Sequence, residues 1–329
     1  MPRDSFNREI DYLRISVVDR CNLRCVYCMP LNGLRFLPGP ELLTPAEIES
    51  VARAAVSVGF RKFRLTGGEP TVRNDLLEIV QRVAAVPGVT DLAMTTNAIL
   101  LPKLAQPLKR AGLNRLNVHL DSLNPQTVEN QMRWGSFDQI WSGIVAAEEA
   151  GLTPIKLNAV VTAGYNEADV VDLARLTINR NWHVRFIELM PFAGGECASI
   201  SIKRYVSNIE TRRRIEAQLG ALTELPPTSP SDESRNYKVA GAEGVVGFIS
   251  PVSEPYCGSC NRMRLTADGK FHLCLLNDDE LDVRAALRTG ASLDAIGEIL
   301  VRAVTLKPTG HRLLQGRSTN DRLMYQLGG

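Results

Sequence analysis

Six of the seven cysteines fall into two groups of three. Cys21, Cys25 and Cys28 are spaced C-x3-C-x2-C; Cys257, Cys260 and Cys274 are spaced C-x2-C-x13-C. Thiolates at such short spacing ligate zinc or iron–sulfur clusters. A closed tetrahedral site takes four protein ligands, and each group offers three. In a cubane of four irons, three thiolates leave one iron open to a small molecule. The pattern therefore suits a cluster that holds a substrate or cofactor at its fourth corner. Zinc with a distant fourth ligand is the alternative, and for the second group that ligand would be His272. The lone Cys197 reads as a small buried hydrophobe rather than a ligand.

Something must position these thiols. The first group directly follows "YLRISVV", the first of six short β-branched runs. The others are "KFRLTG", "DLAMTTN", "RLNVHLDS", "PIKLNAVVT" and "HVRFIELMP". Stretches of helical periodicity lie between them. Thr44, Pro45 and Glu47 form a capping box with proline at the first helical position. Asn124 with Pro125 opens another helix, and Gly59 and Gly151 close theirs. Strands alternating with helices predict βαβ units and a parallel sheet, as an incomplete barrel or an open doubly wound sheet. In either, the strand C-termini face the active site, where the first cysteine group falls. The texture changes after Pro191, so a boundary is placed near residue 191. Beyond it come a helix from Ser207, with Glu210 expected to complete a second capping box, and a Pro/Ser-rich loop, "LPPTSPSDESRN". Short strands around the second cysteine group follow, then one or two helices between Val283 and Val304.

Composition sets bounds. The 329 residues are 44% hydrophobic and 22% charged, with a net charge of +2. That is an ordinary globular composition, with no basic excess for nucleic acid or an anionic membrane. The basic run "KRYVSNIETRRR" reads as a solvated helix face. The charged N-terminus carries no secretory signal, and no apolar run reaches a membrane-spanning length. Free thiols in short-spaced groups then predict metal ligation in a reducing cytoplasm.

C-x3-C-x2-C with Tyr27 before the last cysteine, followed after the second strand by "GGEP" (Gly67–Pro70), resembles the radical S-adenosylmethionine superfamily. "YLRISVVDRCNLRCVYCMP", "FRLTGGEPTVRND", "MTTNA", "RFIELMP", "CGSCNRMRLTADGKFHLCL" and the final "GG" together resemble its GTP 3′,8-cyclase family of molybdenum cofactor biosynthesis. The resemblance covers essentially the whole chain. It implies an incomplete (β/α)6 TIM-type barrel, residues 1–190, holding the first 4Fe-4S cluster. A C-terminal α+β domain, residues 191–329, carries the second.

The same resemblance assigns residues. Tyr27, Gly68 and Met190 match positions contacting S-adenosylmethionine. Arg14, Arg64, Thr95, Lys156, Arg262, Met263 and Arg264 match positions binding GTP, and guanidinium groups suit a triphosphate. The tail is implied to enter the barrel, with Gly328 and Gly329 needed for catalysis. One departure is His119, which stands where the family usually has a cofactor-contacting serine; contact with the cofactor and a structural hydrogen bond are both open. The implied reaction is radical cyclisation of GTP, needing an external electron donor. Cyclic pyranopterin monophosphate synthase is the expected next enzyme, and monomer and homodimer are both open. A peptide-modifying radical enzyme and a non-enzymatic iron–sulfur electron carrier are the alternatives.

Overall fold

Each β-branched run becomes a strand, and the period-2 pattern decides what each strand faces. The computed structural model describes residues 1–191, 195–227, 229, 232–311, 313 and 322–328. The first six strands are β1 (Tyr12–Ser16), β2 (Lys62–Thr66), β3 (Asp91–Thr96), β4 (Arg115–His119), β5 (Lys156–Val161) and β6 (His183–Glu188). They are parallel and lie in sequence order. Between them run helices α1 (Pro45–Ser57), α2 (Leu76–Ala84), α3 (Leu101–Arg110), α4 (Pro125–Met132), α5 (Phe137–Glu149) and α6 (Val170–Arg175).

Later residues extend this same sheet at both edges. Helices α7 (Gly195–Lys203) and α8 (Asn208–Leu219) come first, then β7 (Thr223–Glu224), β8 (Arg235–Lys238) and β9 (Val245–Ile249). β9 adds to β6 in parallel and continues antiparallel through β8 to β7. At the other edge β10 (Arg262–Leu265) pairs parallel with β1. β11 (Lys270–His272) and β12 (Glu280–Asp282) follow antiparallel. Helices α9 (Arg284–Arg288), α10 (Leu293–Thr305) and α11 (Met324–Leu327) complete the described chain.

The outer sheet face is apolar. Leu13, Ile15, Phe63, Leu65, Leu116, Val118, Val184, Phe186, Met263 and Leu265 are fully buried there in the main apolar core. Burial of each such side chain contributes about 1.5–3 kcal/mol. The inner face is polar: Arg14, Ser16, Arg64, Thr66, Asn117, Arg185, Arg262 and Arg264 alternate with the residues above. A parallel sheet covered on both faces normally reads as continuous apolar runs. This alternation marks the inner space as a site.

The sheet curls around that space. In the amide orientation that satisfies its neighbours, Asn117 on β4 accepts hydrogen bonds from both Arg64 on β2 and Arg185 on β6. Four strand spacings separate β2 from β6, roughly 19 Å on a flat sheet. Asn117 stands midway between them, and Arg264 on β10 and Ile249 on β9, at opposite flanks of the six strands, line one cavity, so the sheet bends.

Helix ends largely follow the sequence. Thr44 accepts from the Glu47 amide at 3.2 Å, and Glu47 accepts from the Thr44 amide at 2.7 Å. Asn124 caps α4. Ser207 caps α8 through the Glu210 amide, but the reciprocal half of the expected box is missing. The Glu210 carboxylate instead pairs with Arg214 at 3.1 Å, one turn along. A guanidinium at i+4 outcompetes a neutral amide for a carboxylate.

Candidate active site

The loop leaving β1 carries the first thiol group and is held by backbone. The Cys28 and Met29 amides donate to the Cys25 carbonyl at 3.0 and 3.1 Å, and the Leu23 amide donates to Cys21 Sγ at 3.3 Å. The glycines after β2 lock against this loop. Gly68 donates to the Val18 carbonyl at 2.7 Å, and Glu69 to that of Arg20 at 2.8 Å. A Cβ on Gly67 would lie 2.2 Å from the Val18 oxygen; one on Gly68 would lie 2.3 Å from the Arg20 oxygen. "GGEP" thus brings two backbones together, which no residue with a Cβ permits. Glu69 is buried and accepts from Thr71 Oγ1 at 2.6 Å, Thr96 Oγ1 at 2.7 Å and the Asn97 amide at 2.7 Å. It ties β2 to β3 and pairs with neither Arg14 nor Arg64.

The three thiols line the same cavity and are close enough to act on one another electrostatically. Burial pushes Cys21 up to about 12, with Glu69 adding to it. Burial likewise raises Cys25 and Cys28, and Cys21 and Cys28 both raise Cys25 further. Cys197, buried on α7, adds to the rise at Cys28, so it belongs near the first group. Beside them Tyr27 donates to Asp121 Oδ2 at 2.7 Å, and its hydroxyl lies 2.9 Å from His119 Nε2. His119 Nε2 is 3.1 Å from the same Asp121 oxygen. Burial disfavours the imidazolium, but the Asp121 carboxylate outweighs it and raises the His119 pKa.

The second group is built differently. Cys257 and Cys260 sit on the 3-10 turn leading into β10, and Cys274 follows β11. Gly310 packs so closely that a Cβ there would lie 2.9 Å from Cys257 Cβ and 3.1 Å from its Sγ. His311 donates from Nε2 to the Pro251 carbonyl at 2.8 Å; burial alone would raise the Cys257 thiol, and His311 beside it brings it below its ordinary value. Burial alone would raise the Cys260 thiol; the Lys307 ammonium and the Arg262 guanidinium bring it down to about 6. Lys307 is itself buried, with Nζ donating to the Leu273 carbonyl at 2.7 Å. His272 pairs through Nδ1 with Glu280 at 3.1 Å and does not line the cavity the thiols share.

That cavity, about 300 Å³, is lined by all six thiols. Parallel register sets Arg264, Arg14 and Arg64 side by side on β10, β1 and β2. Like charges in adjacent rows destabilise a sheet unless an anion balances them. Glu233, just before β8, supplies one carboxylate: Arg14 Nη2 reaches it at 2.7 Å, and Arg262 also pairs with it. Thr95 Oγ1, Arg14 Nε and Arg64 Nε are buried without a partner in the described structure. Burial, with Arg14 and Arg262 nearby, pushes Arg264 down to about 9.

The tail closes this space. Leu327 and Gly328 are buried. Arg264 Nη1 donates to the Gly328 carbonyl at 2.6 Å. Gly328 has φ +73°, and a Cβ there would lie 2.4 Å from Thr66 Cγ2 at the end of β2.

Of the residues singled out from sequence, the cavity wall gathers the six cysteines, Tyr27, Gly68, His119, Met190, Arg14, Arg64, Thr95, Arg262 and Arg264. Met263 turns the other way, into the apolar core. Lys156 does not line the cavity, though it is half-buried and close to Arg185, Arg115 and Arg64. Gly329 lies outside the described residues. Sequence reasoning missed Asn158, Glu233, Lys307 and His311 in the wall, and Arg185 behind it. Asn158 and Arg185 are signalled by period-2 alternation on β5 and β6; the other three have no local motif.

Known proteins resemble this chain in sequence and in fold. The radical SAM superfamily profile matches residues 15–177, and the Molybdenum Cofactor Synthesis C profile matches residues 182–313. The GTP 3′,8-cyclase of Pelotomaculum thermopropionicum is 48% identical over 99% of this chain and 100% of its own. Those of Heliobacterium modesticaldum and Moorella thermoacetica are 45% and 43% identical, each over 99% of this chain and 99% and 100% of their own. Among solved structures, Streptococcus suis SuiB aligns with a TM-score of 0.59 at 14% identity, covering 92% of this chain and 68% of that one. SuiB bound to S-adenosylmethionine aligns at 0.56 and 14%, covering 83% and 63%. The SuiB likeness carries the fold alone. Identity near one half along the full length, with both profiles matched in order, shows that the chain belongs to the GTP 3′,8-cyclase family of radical S-adenosylmethionine enzymes.

Proposed function

We propose that this protein cyclises GTP to (8S)-3′,8-cyclo-7,8-dihydroguanosine 5′-triphosphate, the first step of molybdenum cofactor biosynthesis. The observation that carries the reading is the meeting, in one cavity, of two three-thiol groups and an in-register row of arginines. The curled six-stranded part, residues 1–190, is read as the incomplete TIM-type barrel holding one 4Fe-4S cluster. Residues 191–329 are read as the part holding the second.

The donor chemistry fits such clusters. Burial raises all three of the first thiols, and Cys21 adds to the rise at Cys25 and Cys28, so they need a cation to stay as thiolates. Gly310 lets the backbone pack directly against Cys257, an approach that a Cβ would block. Cys21, Cys25 and Cys28 would hold the first cluster, which with S-adenosylmethionine would supply hydrogen abstraction from the ribose 3′ carbon, so that this carbon bonds to guanine carbon 8. The chain's own residues place the partners. Tyr27, Gly68 and Met190, which line the same cavity as the first thiols, would contact S-adenosylmethionine. Arg14, Arg64, Arg262 and Arg264, with Lys156 behind them, gather the triphosphate. Thr95 Oγ1 is a free hydroxyl in the same wall. Cys257, Cys260 and Cys274 would hold the second cluster, which would supply an open iron for the guanine, and the tail excludes water. An external donor supplies two electrons, one for cofactor cleavage and one that, with a proton, reduces the cyclised nucleotide to its 7,8-dihydro form; cyclic pyranopterin monophosphate synthase takes the product. Anaerobic incubation of the iron-loaded protein with S-adenosylmethionine, reductant and GTP tests the reading: cyclised nucleotide supports it, and cofactor cleavage with unchanged GTP rejects it.

His119 is read as a hydrogen-bonded neighbour of Tyr27 rather than a required cofactor ligand. Asp121 keeps Tyr27 and the Val160 amide as donors without it. His119→Ser is therefore expected to hold S-adenosylmethionine cleavage within about tenfold, the scale of one neutral hydrogen bond. Collapse of cleavage with both clusters intact would assign the imidazole a direct role.

Lys156 gives the site a pH dependence. Burial, with Arg185, Arg115 and Arg64, pushes its ammonium down to about 8. It is charged below that pH and neutral above it, and a polyanion favours the charged form. GTP affinity is expected to fall as pH rises through about 8, and Lys156→Arg should flatten the profile because guanidinium stays charged. A flat wild-type titration across that range would remove Lys156 from the nucleotide site.

A further inference from the structure

Among the described residues three carboxylates line the wall; Glu69 and Glu188 accept from hydroxyls and backbone amides, while Glu233 is set among arginines. Its Oε2 is 2.7 Å from Arg14 Nη2 and also pairs with Arg262 Nη1. Arg64 and Arg185 are the next charges around it. Burial favours the neutral acid, but these four guanidinium groups hold Glu233 well below the usual carboxylate range. It is held as an anion at the centre of a cationic wall.

An ordinary structural ion pair balances itself. This one does not. Four guanidinium groups share one carboxylate at the centre, while Asp232 acts on Lys156 and His183 instead. Arg14 Nε and Arg64 Nε stay buried without an acceptor while Glu233 is in place. Buried donors left unsatisfied are costly, so this wall is built for more oxygen atoms than Glu233 supplies. The carboxylate also lines the same cavity as both thiol groups.

We propose that Glu233 is an internal stand-in for one phosphate group: it holds the seat between Arg14 and Arg262 in the substrate-free protein, and a polyphosphate ligand must displace it to bind. The inference rests on the nucleotide reading above and adds a competitor to it. Without any anion, four clustered guanidinium groups would repel one another and turn outward. Glu233 keeps them turned inward and ready. The same contact lowers affinity, because each binding event must first break two charge-assisted hydrogen bonds. The chain therefore trades affinity for a preformed site. The released carboxylate regains water, and the arginines regain oxygens from the ligand.

Glu233→Gln keeps the side-chain shape and removes the charge. The experiment measures calorimetric binding of inorganic tripolyphosphate and of GTP to the full chain with both clusters loaded, beside iron content and melting temperature. Both ligands are expected to bind at least about tenfold tighter to the variant, the scale of a lost charged competitor. Equal or weaker binding of tripolyphosphate would overturn the proposal and make Glu233 a support for the arginines. Tighter tripolyphosphate with no GTP binding to either protein would leave Glu233's role standing and sink the nucleotide reading. GTP binding equally to both proteins would do the reverse. Should Glu233→Gln fail to fold, Glu233→Asp serves: one methylene shorter, it cannot span both arginines, and the same tightening is expected on a smaller scale.

Discussion

Deleting Gly328 and Gly329 is expected to lower formation of the cyclised nucleotide by at least about a hundredfold, the scale on which a positioning element acts. Iron content, folding and GTP binding should stay largely intact. Gly328 is buried against Thr66 and Gly67 and accepts from Arg264, three residues of the wall that gathers both thiol groups. Its φ of +73° and the 2.4 Å that a Cβ would leave to Thr66 exclude other residues. Deletion removes the acceptor from Arg264 and opens the cavity to water, without touching a cysteine or the main core. A peptide copying the tail should partly restore turnover at high concentration, since the tail acts by occupancy. Product formation by truncated and full-length protein, side by side, checks this; equal product would make the glycines an ordinary chain end.

Replacing Cys21, Cys25 and Cys28 together by Ala should remove about half of the iron and abolish S-adenosylmethionine cleavage, while the second cluster's spectrum persists. The groups are independent in construction. The first hangs on the loop after β1, locked by Gly67 and Gly68; the second sits on the turn before β10 and after β11, held by Gly310, His311 and Lys307. Metal analysis and electron paramagnetic resonance of the variant read the outcome. One zinc per chain with no iron would overturn both cluster assignments.

The residues that the sequence disclosed are those whose chemistry is local. Cysteine spacing, the Thr44 box and six alternating runs are short-range patterns, and each maps onto a loop, a cap or a strand here. Alternation also told that Arg262 and Arg264 share a face, and by the same rule Met263 points away from it. What stayed hidden depends on residues far apart in the chain. Glu233 meets Arg14 across 219 positions, and nothing in "SDESRN" announces it. Lys307 and His311 reach the second thiols from the segment after α10. The cut near residue 191 marks a change in sequence texture, yet β9 and β10 extend the same sheet from both edges. Strand pairing across such separations leaves no periodic trace. The Ser207 box failed for a nearer reason: Arg214 offered Glu210 a stronger partner than an amide.

GTP carrying deuterium at the ribose 3′ carbon tests the central claim most directly. Incubated anaerobically with the iron-loaded protein, S-adenosylmethionine and reductant, it should yield cyclised nucleotide together with 5′-deoxyadenosine that has gained deuterium. 5′-Deoxyadenosine formed without deuterium, beside unchanged GTP, would contradict the account.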